Sequence, residues 1–233
     1  AAAIGAPTVV FVCGGTAGQP NASTARRRVL DVLRTAAGYA AEAGVTLGIE
    51  PFHPMHAAER GCVNTLAQAH HLRAEVGSAA SVVLDVFHTW WDPELERFLE
   101  PEFLTHISTV QLCDWRVPTR HPVNDRAMIG DGAADVAGMV ARLERNGYRG
   151  PYEIELFSDD WWARPPADVV SVCIERFAAL PGEGTTSPGA AASPGAAASP
   201  GAVASPGAAA SPGAAASPGA AASPNSGASS HQP

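Results

Sequence analysis

Strand and helix patterns alternate along the chain, and this alternation limits the fold more than any other feature of the sequence. Apolar segments rich in β-branched residues predict strands at 7–15, 45–54, 81–88, 107–115 and 151–157. Helical patterns predict helices at 23–44, 64–77, 135–148 and 167–180. We expect Ser23 or Thr24 to cap the first helix and Asn64 the second. Elements that alternate in this way form a parallel sheet covered by helices, either an open doubly wound sheet or a (β/α) barrel.

The last part of the chain does not share this pattern. From about Gly182 onward the sequence is a six-residue repeat of Ser, Pro, Gly and Ala with almost no large apolar side chain. Such a segment buries too little surface to offset the entropy lost on ordering. We therefore predict one folded domain over residues 1–181 and a disordered tail over residues 182–233.

Polar side chains end each of the four later strands. They are Glu50, Asp85, Gln111 and Glu155. Polar groups at successive strand ends, converging from around a ring, are typical of the top face of a barrel. A doubly wound sheet would concentrate them at one switch point, usually beside a glycine-rich phosphate turn, and the chain has no GxGxxG motif. The sequence therefore favours the barrel.

Three of these four residues are carboxylates, and three carboxylates together indicate something different from a single one. Asp85 or Glu50 alone would be read as a strand cap or as the partner of an arginine. Packing three carboxylates together without a cation would raise at least one pKa strongly, and a divalent metal removes that cost. Three carboxylates and an amide carbonyl offer oxygen ligands only, which suits Mg²⁺ or Mn²⁺ better than Zn²⁺.

Composition excludes several classes of function. All fifteen basic residues are Arg, which excludes catalysis by a Schiff-base lysine and the lysine of a phosphate-binding loop. The formal net charge of −8 disfavours a nucleic-acid surface. No apolar run is long enough to span a membrane. The four Cys residues form no CxxC pair, so we expect reduced thiols and a cytoplasmic protein.

The strand ends GIEPFHP, LDVFH, VQLCD and IELF, with RAMIGDG between the last two, resemble the xylose-isomerase-like TIM barrels over about residues 2–180. The resemblance implies that one divalent metal, Mn²⁺ or Mg²⁺ first and Co²⁺ or Zn²⁺ as alternatives, is held by Glu50, Asp85, Gln111 and Glu155. Many members have His where this chain has Gln111, but the hydroxypyruvate-isomerase branch is similar to this chain in using Gln.

The same resemblance implies roles around the metal. His88 matches a family His that contacts substrate oxygens, and Arg126 matches a family Arg that orients substrate. His53, three residues after Glu50, is a further candidate to hydrogen-bond substrate. Glu50 and Glu155 are the expected proton-transfer pair.

The implied activity is that of a metal-dependent sugar or sugar-phosphate isomerase or epimerase, working through an enediolate. Its substrate would be a small sugar, a sugar phosphate or a hydroxy-keto acid. The alternative within the same fold is a dehydratase of the inosose or dehydroshikimate type. Endonuclease IV-like cleavage of DNA ranks lower, since it needs a zinc cluster and more His ligands than the chain offers.

Three further features have a structural and a functional interpretation. Asp114 either orients a ligand residue or caps the end of its strand. The doublets Trp90-Trp91 and Trp161-Trp162 either pack loops or line the pocket. His70 and His71 are interpreted as surface or packing groups of a helix.

Only five strands are predicted, whereas a complete (β/α)₈ barrel takes about 250 residues. The motifs match the fourth to eighth strands of the family, so the first three strand-helix units are expected to be absent. We interpret the chain as a fragment of a longer product, as an inactive barrel fragment, or as part of a barrel that another chain completes. A homo-oligomer is among these expectations.

Overall fold

The computed structural model describes residues 1–181, and the tail predicted for residues 182–233 lies outside the described residues. The strands are β1 (Thr8–Val12), β2 (Thr46–Glu50), β3 (Ala80–Asp85), β4 (Ile107–Leu112), β5 (Asp114–Trp115), β6 (Arg126–Ala127) and β7 (Tyr152–Ile154). The helices are α1 (Ala22–Glu42), α2 (Leu66–Val76), α3 (Val86–Thr89), α4 (Leu95–Phe98), α5 (Pro101–Leu104), α6 (Val136–Arg145), α7 (Asp159–Trp162) and α8 (Pro166–Ala178). Short 3₁₀ turns cover Ala2–Ile4 and Pro54–His56.

The main sheet has five parallel strands in the order β1-β2-β3-β4-β7. Each strand pairs with the strand that precedes it in this sheet, and the order never reverses. A doubly wound sheet would show a reversal. The sheet instead curls into a half-barrel, which confirms the predicted fold class.

The three central strands form the core with the helices that cover them. The side chains of β3 are all buried, and those of β2 and β4 nearly all. On the outer side, α1 contributes Val29 and Leu33, and α2 contributes Leu66, to the apolar cluster around these strands. Strands buried on both faces are characteristic of parallel sheets, which explains their continuous apolar sequences.

The two edges of the half-barrel differ from its centre. On β1, Val9, Val10 and Val12 are exposed. At the other edge, α8 exposes Val170, Ile174 and Phe177, which recur at the spacing of one helix face. Apolar surface is therefore left open along both edges where a closed barrel would continue.

The predicted helix caps are off by a few residues. Asn21 caps α1 by accepting a hydrogen bond of 2.9 Å from the Thr24 N–H, so the predictions of Ser23 or Thr24 are wrong. Thr65 caps α2, and Asn64 instead donates its side-chain amide to two backbone carbonyls of the preceding loop. Both predictions chose a residue of the right type, two or three residues after the cap of α1 and one residue before the cap of α2.

All five predicted strands end three or four residues early, and the ends of β3 and β4 shape the functional region. β3 ends at Asp85, whose side chain caps the short helix α3, so His88 lies on a helical turn rather than on a strand. After β4 the chain turns away, and Asp114–Trp115 pairs with Arg126–Ala127 as a two-stranded antiparallel ribbon. No helix within residues 1–181 is long and apolar enough to cross a membrane.

Candidate metal and substrate site

The carboxyl ends of the strands bring the predicted acidic residues together. Glu50 and Asp85 are the last residues of β2 and β3, and Glu155 directly follows β7. One ligand atom each from Glu50, Asp85 and His88 lie within 4.8 Å of one another, and all three side chains are buried. Glu155 joins the group through Arg126, which contacts both Glu155 and Asp85.

The two oxygens of Asp85 have separate partners. Oδ1 accepts a hydrogen bond of 2.8 Å from the Phe87 N–H and so caps α3. Oδ2 accepts a hydrogen bond of 2.8 Å from Nη1 of Arg126. The residue is therefore both a strand-end cap and a member of the site, and the two interpretations of Asp85 are compatible.

Arg126 links two of the carboxylates. Its Nη1 lies 2.8 Å from Asp85 Oδ2 and 3.0 Å from Glu155 Oε2. The guanidinium packs over the rings of Phe87 and Phe157, at 4.5 Å and 5.2 Å from their centroids. Its backbone is fixed by the β5–β6 pairing and by a hydrogen bond of 2.9 Å from the Arg126 N–H to the Phe157 carbonyl.

His88 faces the carboxylates with Nε2. Its Nδ1 accepts a hydrogen bond of 3.1 Å from the His53 N–H, so in the neutral ring the proton must be on Nε2. Nε2 lies 3.8 Å from both Glu50 Oε1 and Asp85 Oδ2. Burial lowers the pKa of His88 to about 3, which keeps the ring neutral. This tautomer offers an N–H to an oxygen of a ligand and has no free lone pair for a metal.

The pKa values of the three carboxyl groups shift in different directions. Burial raises the pKa of Glu50 to about 9, and the charges of Asp85 and Glu155 add to the effect. Burial also raises the pKa of Glu155 to about 7, although Arg126 opposes it. Burial alone would raise the pKa of Asp85, but Arg126 holds it below its usual value. Asp85 therefore stays ionised, whereas Glu50 takes up a proton unless another cation is present.

Gln111 lies in register with Asp85 on the neighbouring strand. Its side-chain amide nitrogen lies 3.4 Å from Glu153 Oε2, and its buried Oε1 has no hydrogen-bond partner among the described residues. A buried carbonyl oxygen on the strand next to Asp85 is a ligand type that suits a hard divalent cation. Within residues 1–181, however, the hydrogen bond of the Gln111 side chain is to Glu153 and not to Glu50, Asp85 or Glu155. The expected ligand set remains Glu50, Asp85, Gln111 and Glu155.

His53 stands at the rim of the site. Its ring lies 5.4 Å from the ring of Trp91 and 4.8 Å from that of Trp115, and its Nδ1 accepts a hydrogen bond of 3.2 Å from the Met55 N–H. This bond places the proton of the neutral ring on Nε2. The backbone of His53 also orients His88, a role that its position after Glu50 did not indicate.

Several contacts of the site were missed in the sequence. Phe52 stacks on His88 at 4.2 Å, and the buried ring of His56 lies 5.6 Å from it. Cys113 Sγ lies 3.6 Å from Arg126 Nη1, and Trp115 stacks on Phe87 at 4.7 Å. The signal available was proximity in sequence, since Phe52, Phe87 and Cys113 lie within the quoted motifs and His56 and Trp115 lie one or two residues beyond them.

Three other residues singled out in the sequence make contacts that support the structure around the site or the core. Asp114 is buried and accepts hydrogen bonds from the N–H groups of Trp115, Gly130 and Ala134, so it organises the loop that follows Arg126. Trp91 donates through Nε1 to the His88 carbonyl at 2.8 Å. His70 is buried and stacks on Phe98, as the packing interpretation predicted.

The half-barrel with carboxylates at its strand ends matches a known protein family. Residues 1–177 match the family model described as a xylose isomerase-like TIM barrel. The chain therefore belongs to this family, as the strand-end motifs predicted.

Several individual proteins are similar to this chain. The chain is 29% identical over 168 residues to a 3-dehydroshikimate dehydratase of Pseudomonas putida, which covers 67% of this chain and 24% of that protein. The chain thus spans about a quarter of the length of this curated relative. A solved protein of Sinorhizobium meliloti 1021 is 41% identical with a TM-score of 0.74, over 78% of this chain and 67% of that one. The IOLI protein, solved with a zinc atom, has a TM-score of 0.64 at 21% identity, over 77% and 64% of the two chains, and shows the shared fold.

Proposed function

We propose that the chain carries the site of a metal-dependent sugar or sugar-phosphate isomerase or epimerase that transfers a proton next to a carbonyl group. One observation carries the proposal. The carboxyl groups of Glu50, Asp85 and Glu155 converge at the strand ends, and a single guanidinium nitrogen of Arg126 bridges two of them. When all three are ionised, these carboxylates carry more negative charge than one guanidinium balances, which suits a divalent cation.

Glu50, Asp85, Gln111 and Glu155 would hold the metal, with Mn²⁺ or Mg²⁺ favoured by the oxygen ligands. When bound, it would supply Lewis-acid polarisation of the substrate carbonyl, which acidifies the neighbouring C–H group. Gln111 is suited to be a ligand because its Oε1 is buried and has no hydrogen-bond partner within residues 1–181.

Two carboxyl groups are placed to move protons. Glu50 and Glu155 belong to β2 and the end of β7, on either side of Asp85 in the order of the sheet. In the metal-free chain, burial raises the pKa of Glu50 to about 9 and that of Glu155 to about 7. A bound cation would lower both values, so the proposed acid-base role rests on the positions of the two carboxyl groups. One of them would take the proton from carbon, and the electrons of the C–H bond would form an enediolate.

The substrate's oxygens would be held by two donors. Nε2–H of His88 and the guanidinium of Arg126 lie side by side, with Nε2 and Nη2 3.4 Å apart. Return of the proton to the opposite face of the same carbon gives epimerisation, and return to the adjacent carbon gives isomerisation.

Dehydration is the second candidate, favoured by the sequence similarity to a 3-dehydroshikimate dehydratase. The first step would be the same proton abstraction. The enolate electrons would then form a carbon–carbon double bond as the β-hydroxyl leaves, and a proton from a carboxyl group would convert it to water.

The test is turnover in heavy water with Mn²⁺ or Mg²⁺, followed by proton NMR. Candidate substrates are small ketoses, their phosphates, hydroxypyruvate and 3-dehydroshikimate. Deuterium at the carbon next to the carbonyl of an isomerised product supports the first candidate. Loss of water with a new conjugated product supports the second. Isomerisation without solvent deuterium would indicate a hydride shift and contradict the two-glutamate mechanism.

A further inference from the structure

We infer that Arg126 is a built-in counter-cation that competes with the divalent metal for Asp85 and Glu155, so that metal binding releases its guanidinium for a substrate anion. The inference rests on the metal-binding part of the proposed function.

The competition is set by the oxygens of Asp85. Oδ1 is engaged by the Phe87 N–H at 2.8 Å, which leaves Oδ2 to face the site. Arg126 Nη1 already donates to Oδ2 at 2.8 Å. A metal ligated by Asp85 would therefore bind the oxygen that the guanidinium holds.

Glu155 is the second carboxylate for which the guanidinium and the metal would compete. The same Nη1 lies 3.0 Å from Glu155 Oε2 and also donates to the Glu155 backbone carbonyl at 3.2 Å. A cation between Asp85 and Glu155 would lie within a few ångströms of this nitrogen. Two positive charges at such a short distance repel each other, and the buried surroundings of the site screen this repulsion less than bulk water would. The metal and the guanidinium therefore oppose each other's binding.

The released side chain would remain at the site. The backbone of Arg126 is held by the β5–β6 ribbon, and its guanidinium rests between the rings of Phe87 and Phe157. Its Nη2 lies 3.4 Å from His88 Nε2, which carries a proton in the neutral tautomer. Two adjacent donors present a place for an anionic oxygen.

The experiment is a Mn²⁺ titration of the full chain, with free Mn²⁺ measured by electron paramagnetic resonance. Arg126→Gln removes the competing charge and should tighten Mn²⁺ binding on the order of 10-fold. Arg126→Lys keeps a charge but not the planar fork, so it should tighten binding by less. Arg60→Gln is the matched control, because Arg60 also acts electrostatically on Glu50 but, among the described residues, has no recorded ion pair with Asp85 or Glu155. It should change the Mn²⁺ dissociation constant less than threefold.

Three results would overturn the inference. Arg126→Gln could bind Mn²⁺ no more tightly than wild type, which would leave the metal site intact but remove the competition. Arg60→Gln could tighten binding as much as Arg126→Gln, which would reduce the effect to general charge. Failure of the wild-type chain to bind Mn²⁺ would refute the metal site of the proposed function and the inference with it. If Arg126→Gln does not fold, Arg126→Lys takes its place in the titration. Weaker Mn²⁺ binding by Arg126→Lys than by the wild-type chain would then contradict the competition.

Discussion

The backbone N–H of His53 donates a hydrogen bond of 3.1 Å to Nδ1 of His88. This one bond directs the proton of the neutral His88 ring to Nε2, the nitrogen that faces Glu50 and Asp85. With its proton on Nε2, the ring can donate to an oxygen but has no lone pair directed at a metal, a distinction that the distances alone do not make.

His88→Asn tests this assignment. The Asn side chain can still accept the His53 N–H but cannot reach the position of Nε2. We expect the Mn²⁺ dissociation constant to change less than threefold, while turnover falls on the order of 10²-fold, as for loss of one oxyanion donor. A tenfold or greater loss of Mn²⁺ affinity would instead identify His88 as a ligand.

The pH dependence of stability tests the protonation of Glu50. Its pKa rises from 4.5 to about 9 in the folded chain because of burial and the nearby carboxylates. Between these values the folded state binds more protons than the unfolded state, so this stability is full below about pH 4.5 and is lost as the pH rises toward 9. We expect the metal-free protein to lose about 1.4 kcal/mol of unfolding free energy per pH unit between about pH 7 and 8.5, for one proton.

This pH window separates Glu50 from the buried histidines. The pKa of His88 is lowered from 6.5 to about 3, so its effect on stability is complete once the pH exceeds about 6.5. Urea unfolding at several pH values provides the measurement, and Glu50→Gln is the control that should remove most of the slope. An unchanged slope in Glu50→Gln would show that other groups cause it.

The loop that follows Arg126 depends on Gly132. A Cβ at this position would collide with the Asp114 carboxylate and the Trp115 carbonyl. Gly132→Ala should therefore lower the unfolding free energy by about 1–3 kcal/mol, the usual cost of overpacking. Gly38→Ala is the matched control, since its Cβ would meet nothing within 4 Å on the exposed face of α1, and it should stabilise by about 0.5–1 kcal/mol. Equal effects of the two substitutions would contradict the described loop.

The strand-end residues were predictable because parallel strands deliver their carboxyl ends to one edge of a sheet. Glu50 and Asp85 lie there as their position at the ends of apolar runs predicted. The extent of β3 was not predictable in the same way. The segment VVLDVFH is apolar up to Phe87 except at Asp85, and the hydrogen bond from the Phe87 N–H to the Asp85 carboxylate caps α3 where the strand ends.

The position of Arg126 depends on contacts between distant parts of the chain. Its place between Asp85 and Glu155 requires the ribbon of Asp114–Trp115 with Arg126–Ala127 and the rings of Phe87 and Phe157. No local pattern encodes this pairing. The orientation of Gln111 toward Glu153 likewise depends on the register of β4 with β7, which a strand pattern leaves open.

Glu155→Gln and Asp85→Asn separate proton transfer from metal binding. Glu155→Gln keeps an oxygen that can bind a metal but cannot exchange a proton at neutral pH. We expect it to keep most of its Mn²⁺ affinity while the rate of turnover, and of deuterium exchange next to the carbonyl, falls on the order of 10²- to 10⁴-fold. Asp85→Asn can still accept the Phe87 N–H through its amide oxygen, but its NH₂ group would then face the donor Nη1 of Arg126.

Asp85→Asn should therefore lose Mn²⁺ affinity first, and its rate loss should be partly recovered at high Mn²⁺ concentration. The rate of Glu155→Gln should not recover, because the missing function is the proton and not the metal. Manganese binding and exchange in heavy water, measured on the same samples, provide the comparison. Recovery of Glu155→Gln at high Mn²⁺ would assign Glu155 to the metal alone and leave Glu50 as the group that moves the proton.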